Sequence, residues 1–368
     1  MRINTLKLEN FRSHEKYEIF FPKEQETVLF LGKNGIGKTN ILESIYTLSL
    51  GKSFRTNQFT EMINWEADFS RTSGEIEGAE AENLEVFFSK APKKQKNYKK
   101  NGVSISHKNF LGTLLSVLFH PEDLNMLYLS PSYRRRYLDI VLSQTDKEYL
   151  DALLNYNKVL KQRNNLIKEL QKKLFEQGIN SINFDNLEIW DIQLIVFASE
   201  ILRKRIIFTT FLNNLLEKHY KKISLGNEMI KIEYSSKNKD LNEKNTEEIL
   251  NFEISNRRQK DIYSGKTTFG PHLDDLIFQI NNRNISESAS RGEFRTILLA
   301  LKLAEIDYIK SKKNLSPVLL LDDVFSELDS FRQEYFLKSI EDCQSIITGT
   351  SHENLKETGS SIKVIEII

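Results

Sequence analysis

Val28-Leu29-Phe30-Leu31-Gly32-Lys33-Asn34-Gly35-Ile36-Gly37-Lys38-Thr39 decides the architecture. An apolar run enters the pattern G-x-x-x-x-G-K-[ST], and the residues beyond it set Ile41, Leu42, Ile45 and Leu48 on one helical face. The order is therefore strand, glycine-rich loop, helix, which is the context a phosphate-binding P-loop requires. Glycines let backbone N–H groups approach phosphate oxygens, Lys38 reaches the terminal phosphates, and the Thr39 hydroxyl is offered to Mg²⁺, all at the positive end of a helix dipole. The candidate cradle is Gly32, Lys33, Asn34, Gly35, Ile36, Gly37, Lys38 and Thr39. ATP and Mg²⁺ are the expected ligands.

Composition bounds the rest. The 368 residues include 52 Lys plus Arg against 51 Asp plus Glu, so any affinity for nucleic acid must come from local patches rather than from global charge. A hydrophobic content of 39% supports a packed core, and the length fits two domains or one large domain with an insertion. The single cysteine, Cys343, excludes an intramolecular disulfide, and a reducing cytoplasmic compartment is expected. The amino end has no apolar signal core, and no run approaches the ~20 apolar residues that span a bilayer, so no membrane partner is expected.

A second motif fixes the class of nucleotide chemistry. Pro317-Val318-Leu319-Leu320-Leu321-Asp322-Asp323 reads as a buried parallel strand that delivers two carboxylates at its end, a Walker B. Such an end lies at the ligand crevice of an open α/β sheet, so Asp322 can hold Mg²⁺ and Asp323 can polarise an attacking water; with Lys38 these are the candidate catalytic residues. Between the motifs, Ser290-Arg291-Gly292-Glu293 opens an amphipathic helix with Ile297, Leu298, Leu301 and Ala304 on its apolar side. A serine and a glycine in the first turn make a second anion-binding helix start, with Ser290, Gly292 and Glu293 as its candidate contacts. One nucleotide cannot be reached by both cradles of one sheet. A second copy of the chain, related by a two-fold axis, can present its serine helix to the γ-phosphate held by the first, so a head-to-tail homodimer is expected. Asp329, in Glu327-Leu328-Asp329, stands where cassette ATPases keep a loop that touches the partner subunit.

The order of these motifs resembles the ATP-binding-cassette heads of the SMC and Rad50 class, and in detail the RecF family of bacterial recombination-repair proteins. The resemblance rests on Leu6-Lys7-Leu8-Glu9-Asn10-Phe11-Arg12, Phe119-His120-Pro121-Glu122-Asp123-Leu124, Ser130-Pro131-Ser132-Tyr133-Arg134-Arg135-Arg136, Gly270-Pro271-His272-Leu273-Asp274-Asp275 and Leu320-Leu321-Asp322-Asp323-Val324-Phe325-Ser326-Glu327-Leu328-Asp329. It covers essentially the whole chain. Arg291 and Glu293 stand where the family usually has glutamines, and Leu273 where it usually has arginine. The resemblance implies an ATP-dependent protein of replication and recombinational repair, with slow DNA-stimulated ATP hydrolysis. It also implies help in placing recombinase at single-/double-strand junctions with RecO and RecR partners, and a part in SOS induction. Two positions of the cassette pattern stay open. No glutamine follows Ser116-Val117-Leu118-Phe119, which leaves Glu122 or Asp123 to approach the metal, and after Ser345-Ile346-Ile347-Thr348 the switch role falls to Thr350 or Ser351 before His352.

The middle of the chain carries two heptad stripes, Leu153, Leu160, Ile167, Leu174 interleaved with Tyr149, Tyr156 and Leu170, and Leu187, Leu194, Ile201, Phe208, Leu215 with Trp190, Phe197 and Phe211 between, joined by Gly178-Ile179-Asn180-Ser181. They predict a short antiparallel helical hairpin with arms of about 40 Å at 1.5 Å per residue. The fold class expected is α/β: a cassette-type P-loop head with a mixed sheet and helices, built from residues 1–115 and 261–368, with residues 116–260 inserted as a helical second lobe. Candidate DNA contacts are Lys93, Lys94, Lys96, Lys99 and Lys100, on a hairpin turning at Asn101-Gly102, then Arg134, Arg135 and Arg136, and Arg203, Lys204 and Arg205. No aromatic-rich stretch reads as a stacking platform for single strands. A transporter ATPase subunit is the alternative class, and the missing glutamine and the helical hairpin argue against it.

Overall fold

Alternation of buried and exposed residues at the amino end makes a strand with one wet face, and longer apolar runs later in the chain make strands buried on both sides. The computed structural model describes residues 1–23, 26–224, 226, 228–350 and 362–367. Its elements run β1 (Arg2–Phe11), β2 (His14–Phe20), β3 (Thr27–Leu31), α1 (Lys38–Leu50), β4 (Phe69–Glu77), β5 (Ala81–Ser89), β6 (Gln95–Lys100), β7 (Val103–Ile105), α2 (His107–Phe110) and β8 (Ser116–Phe119). There follow α3 (Asn125–Tyr128), α4 (Pro131–Thr145), α5 (Lys147–Gln177), α6 (Glu188–Ser224), β9 (Ile230–Ser235), α7 (Thr246–Ser264), β10 (Asp275–Ile280), β11 (Arg283–Asn284) and α8 (Ile285–Ser288). The chain closes with α9 (Arg291–Lys313), β12 (Val318–Asp322), α10 (Ser330–Ser339), β13 (Ser345–Gly349) and β14 (Ile362–Glu366). Two compact units result: residues 1–124 with 218–226 and 291–368, and residues 125–217 with 227–290. The second unit thus begins at 125 and ends at 290, rather than at 116 and 260, because β8 pairs with β12 in the first unit while β10 pairs with β9 in the second.

The first unit holds two sheets. One is antiparallel, in the order β2-β1-β4-β5-β6-β7; the other is wholly parallel, in the order β14-β3-β13-β12-β8. Helix α1 packs against strands of both, so eleven of its thirteen residues are buried. The expected single apolar face is therefore only part of its surface. Its buried serines and threonine find acceptors: Ser44 and Thr47 donate back to the Ile41 and Glu43 carbonyls, and Ser49 donates across to the Leu114 carbonyl. Close approach explains Gly74 on β4, where an added Cβ would lie 2.6 Å from the Thr5 carbonyl oxygen and 3.1 Å from Leu48.

In the second unit α5 and α6 form the antiparallel hairpin. Arg163 on α5 pairs with Asp191 on α6, and fourteen residues nearer the start of α5 Tyr149 meets Arg205, fourteen residues further along α6. The arms are longer than expected, about 46 Å and 56 Å at 1.5 Å per residue. The buried stripe of α5 is also shifted from the leucine heptad: Tyr149, Ala152, Tyr156, Val159, Arg163, Ile167, Leu170 and Leu174 face inward, while Leu153 and Leu160 are half-buried. The arginine in that stripe is fully buried. Its Nε donates to Asp191 (2.6 Å), and its Nη1 donates to Asp261 (2.7 Å) and Thr267 (2.7 Å), which ties both hairpin arms to α7 and the segment beyond. Arg258 adds a second donor to Asp191 at 2.6 Å. Removing the central cation leaves two buried carboxylates short of a partner, the costly way to break such a network. Arg163→Met is expected to lose about 3–5 kcal/mol of stability, read from urea unfolding followed by circular dichroism; a loss below about 1 kcal/mol, the scale of an exposed pair, would contradict this reading.

Candidate nucleotide-binding site

The parallel sheet brings the two sequence motifs together. β3 and β12 both pair with β13, in a register that sets Thr348 beside Phe30 on one side and Asp322 on the other. The P-loop and the carboxylates therefore leave the sheet at its carboxyl end, where open parallel sheets bind ligands. The Thr39 hydroxyl donates to Asp322 Oδ1 at 2.9 Å across 283 residues of chain. Lys38 is buried, and its Nζ donates to the carbonyls of Gly32 (2.6 Å) and Lys33 (2.9 Å), so the ammonium lies inside the loop. Gly37 caps α1 with φ at +108°, where a Cβ would sit 2.9 Å from His14 Nε2; only glycine suits this position.

Four side chains outside the P-loop and the Walker B, those of Thr348, His120, Glu43 and His14, surround them. Thr348 donates to Asp322 Oδ1 at 2.8 Å and accepts the Asp323 N–H at 3.2 Å, fixing both carboxylate-bearing residues from the adjacent strand. Asp323 has φ at +53°, a left-handed conformation uncommon outside glycine, asparagine and aspartate, and it caps the turn after β12. His120 brings Nε2 to 3.5 Å from Asp322 Oδ2, while its Nδ1 accepts the Glu122 N–H at 3.2 Å. Glu43, fully buried on α1, is held by Arg12 (2.6 and 3.0 Å), Arg55 (3.3 Å) and Ser53 (2.5 Å). His14 accompanies the loop through Nε2 and the Gly37 carbonyl, 3.2 Å apart, and burial lowers its pKa against the pull of that carbonyl.

Neither acid after β8 bonds to Thr39 or Asp322 among the described residues. Asp123 accepts the His120 N–H and lies 3.4 Å from Lys302 on α9, and Glu122 is exposed; the side chain near Asp322 is His120 instead. Lys302 is itself 3.4 Å from Glu305, whose pKa is pushed up to about 7 by burial although the ammonium pulls it down. The serine helix begins where the sequence puts it: Ser290 precedes α9 and is exposed with Arg291 and Gly292, while Glu293 is half-buried in the first turn. Asp329 caps α10, accepting the Arg332 N–H at 2.9 Å and pairing with its guanidinium, and Arg332 Nε reaches Thr296 on α9 at 3.1 Å. Thr350 is exposed; Ser351 and His352 lie outside the described residues.

The basic segments divide sharply. The Asn101-Gly102 turn forms with positive φ at both residues, which matches a tight hairpin between β6 and β7. On it Lys99 pairs with Glu85 at 2.8 Å, Lys100 pairs with Glu82, and Lys96 lies 4.9 Å over the Phe59 ring, its pKa lowered by burial. Lys93 and Lys94 are exposed and make no ion pair among the described residues. In the second unit the expectation for Arg134 fails: it is buried, grips Asp275 with two bonds of 2.6 and 2.9 Å, and donates to the Met126 and Leu129 carbonyls, pinning α4 to β10. Arg135 donates to the Asp274 carbonyl, and Arg136 is half-buried. Arg203 pairs with Glu200, Lys204 with Asp146 and Glu148, and Arg205 is buried on Asp139, so that third cluster is structural as well.

A P-loop and a carboxylate strand meeting at the end of a parallel sheet, with an antiparallel sheet across the first helix, define an ATP-binding-cassette ATPase head. The chain belongs to the RecF/RecN/SMC N-terminal domain family, whose model matches residues 2–367. It is 38% identical over 370 residues to the DNA replication and repair protein RecF of Bacillus cereus strain AH820, covering 97% of this chain and 95% of that one, and the RecF of Bacillus anthracis strain CDC 684 / NRRL 3495 matches equally. A solved structure of the recombination mediator protein RecF-ATPrS in the RecFOR pathway superposes with a TM-score of 0.87 at 34% identity, covering 99% of this chain and 96% of that one. The Smc head domain of Pyrococcus furiosus shares the fold at a TM-score of 0.54 and 18% identity, covering 100% of this chain and 94% of that one. Thr348→Val, which deletes the hydroxyl between the two aspartates, is expected to cost about 1–3 kcal/mol, measured as a lower midpoint of thermal unfolding; an unchanged midpoint would show that this hydroxyl does not brace the Walker B.

Proposed function

We propose that the protein is an ATP-binding, slowly hydrolysing DNA-binding protein of recombinational repair. The observation that carries the reading is the 2.9 Å hydrogen bond between the Thr39 hydroxyl and Asp322 Oδ1. Two hard oxygen ligands converge there beside the buried Lys38 ammonium, a donor set suited to Mg²⁺, which keeps most of its shell from phosphates and water. Bound at that place, Mg²⁺ would screen phosphate charge. Lys38, with the N–H groups of residues 32–39, would hold the phosphates of ATP, and Asp323 would orient the attacking water. Its carboxylate is one methylene shorter than the glutamate common among cassette enzymes, which favours a slow timing switch over a motor.

The exposed start of α9 supports the dimer half of the reading. Ser290 and Gly292, with Glu293 beside them, would engage the γ-phosphate held by a second copy, and Asp329 would face that copy, so that ATP drives a symmetric homodimer. The relatives' names supply the DNA half: RecF proteins of replication and repair, one of them a recombination mediator in the RecFOR pathway. By that kinship this dimer would clamp gapped or junction DNA, respond to it with faster hydrolysis, and work with RecO- and RecR-like mediators during recombinase loading and SOS induction in the cytoplasm. No described helix is long and apolar enough to cross a membrane.

Sedimentation with and without ATP and a gapped duplex tests the clamp. Wild-type protein is expected to shift from monomer to dimer with ATP; Lys38→Ala is expected to lose nucleotide binding, and Ser290→Arg to keep it while remaining monomeric. A Ser290→Arg protein that still dimerises would refute the shared site. Turnover comparable with that of transport ATPases, unaltered by Asp323→Glu, would refute the timing role.

A further inference from the structure

We propose that Trp65, with the loop Lys90–Lys94, forms a stacking contact for single-stranded DNA at one end of the antiparallel sheet. The indole is 94% exposed, the highest value among the large hydrophobic side chains of the described residues. It is not the tip of a loose segment. Ile63 bridges to Phe11, Asn64 N–H donates to the Asn10 carbonyl at 2.9 Å, and the Asn64 side chain donates to the Arg12 carbonyl at 2.8 Å while accepting the Glu66 N–H at 3.0 Å. An aromatic ring held out on a pinned turn gives up little conformational freedom when a base lies on it.

The lysines lie at the same end of the sheet. Lys90 Nζ donates to the Trp65 carbonyl at 3.2 Å and its backbone N–H donates to the Asp68 carbonyl at 2.8 Å, so the loop that links β5 to β6 is fastened to the Trp65 turn. Lys93 and Lys94 follow in that loop, exposed and without an ion pair among the described residues, in contrast to Lys99 and Lys100 on β6. Glu66 and Asp68 are also exposed here, so the patch is not uniformly basic. That mixture favours an occupant that offers both a flat face and phosphates over a bare polyanion. A single strand supplies both, because its bases are unstacked and its backbone is charged, whereas the bases of a duplex are closed to an indole. Through Asn64 and Arg12 the turn also reaches Glu43 on the helix that begins at the P-loop.

The inference deepens the DNA-binding reading and rests on it, so its test keeps the two apart. The chain has two tryptophans, and Trp190→Phe leaves Trp65 as the only indole. In that variant a thymidine oligomer is expected to quench the emission, whereas an abasic oligomer of equal length and charge is expected to leave it nearly unchanged. Trp65→Ala is expected to weaken affinity for the thymidine oligomer about tenfold, with Trp65→Phe recovering most of it, and with binding of a blunt duplex unaltered. Equal quenching by both oligomers would overturn stacking in favour of charge alone. No quenching, while anisotropy still reports binding of gapped duplex, would overturn this inference and leave the proposed function standing. No binding of any DNA would remove the premise and the inference with it.

Discussion

The hydrogen bond from Thr39 to Asp322 is the constraint around which the first unit is arranged. The two residues are distant in sequence, and their meeting depends on β13 lying between the P-loop strand and the Walker B strand, paired to both in one register. Thr348 on that middle strand completes the closure by holding Asp322 and the backbone of Asp323. A one-residue slip of β13 would carry the hydroxyl to the opposite face of the sheet, since side chains alternate along a strand. The geometry of the site is therefore a property of strand pairing, and the loops inherit it.

The same reasoning explains why α1 tolerates so many buried polar residues. Packed between two sheets, it cannot turn a face to water, and Glu43 would be an uncompensated charge without Arg12 and Arg55. Those arginines come from the end of β1 and from the segment after α1, so the antiparallel sheet and the P-loop helix are joined by charge as well as by apolar packing. On the other side of the site, Lys302 and Arg332 tie α9 to the turn after β8 and to the cap of α10. Helix α9, the segment that carries His120, and Asp329 thus belong to one network within the first unit. Movement of α9 would act on both.

In the second unit most of the clustered arginines serve the fold. Arg134, Arg163 and Arg205 are buried, and each binds carboxylates or carbonyls from segments far along the chain. Planar guanidinium groups suit that task because several donors lie in one fixed fork. Of the basic clusters singled out in the sequence, Lys93 and Lys94 stay exposed and without an ion pair among the described residues.

Much of this was legible in the residues themselves. The P-loop, the Walker B and the start of α9 are contiguous patterns whose chemistry is local, and the hairpin of α5 and α6 follows from helical periodicity and a glycine-led turn. The register of that hairpin was not legible, because the inward stripe includes Arg163, which a reading of apolar spacing discards. Nor were Thr348, His120 and Trp65, single residues whose meaning is set by neighbours dozens to hundreds of positions away. The sequence by itself determined the class of ligand and the order of the elements, since short-range sterics, helix dipoles and apolar periodicity act within a few residues. Which hydroxyl braces the Asp322 carboxylate, which arginines are buried and which indole is exposed were decided only by tertiary structure, because burial and ion pairing depend on what the rest of the chain brings alongside.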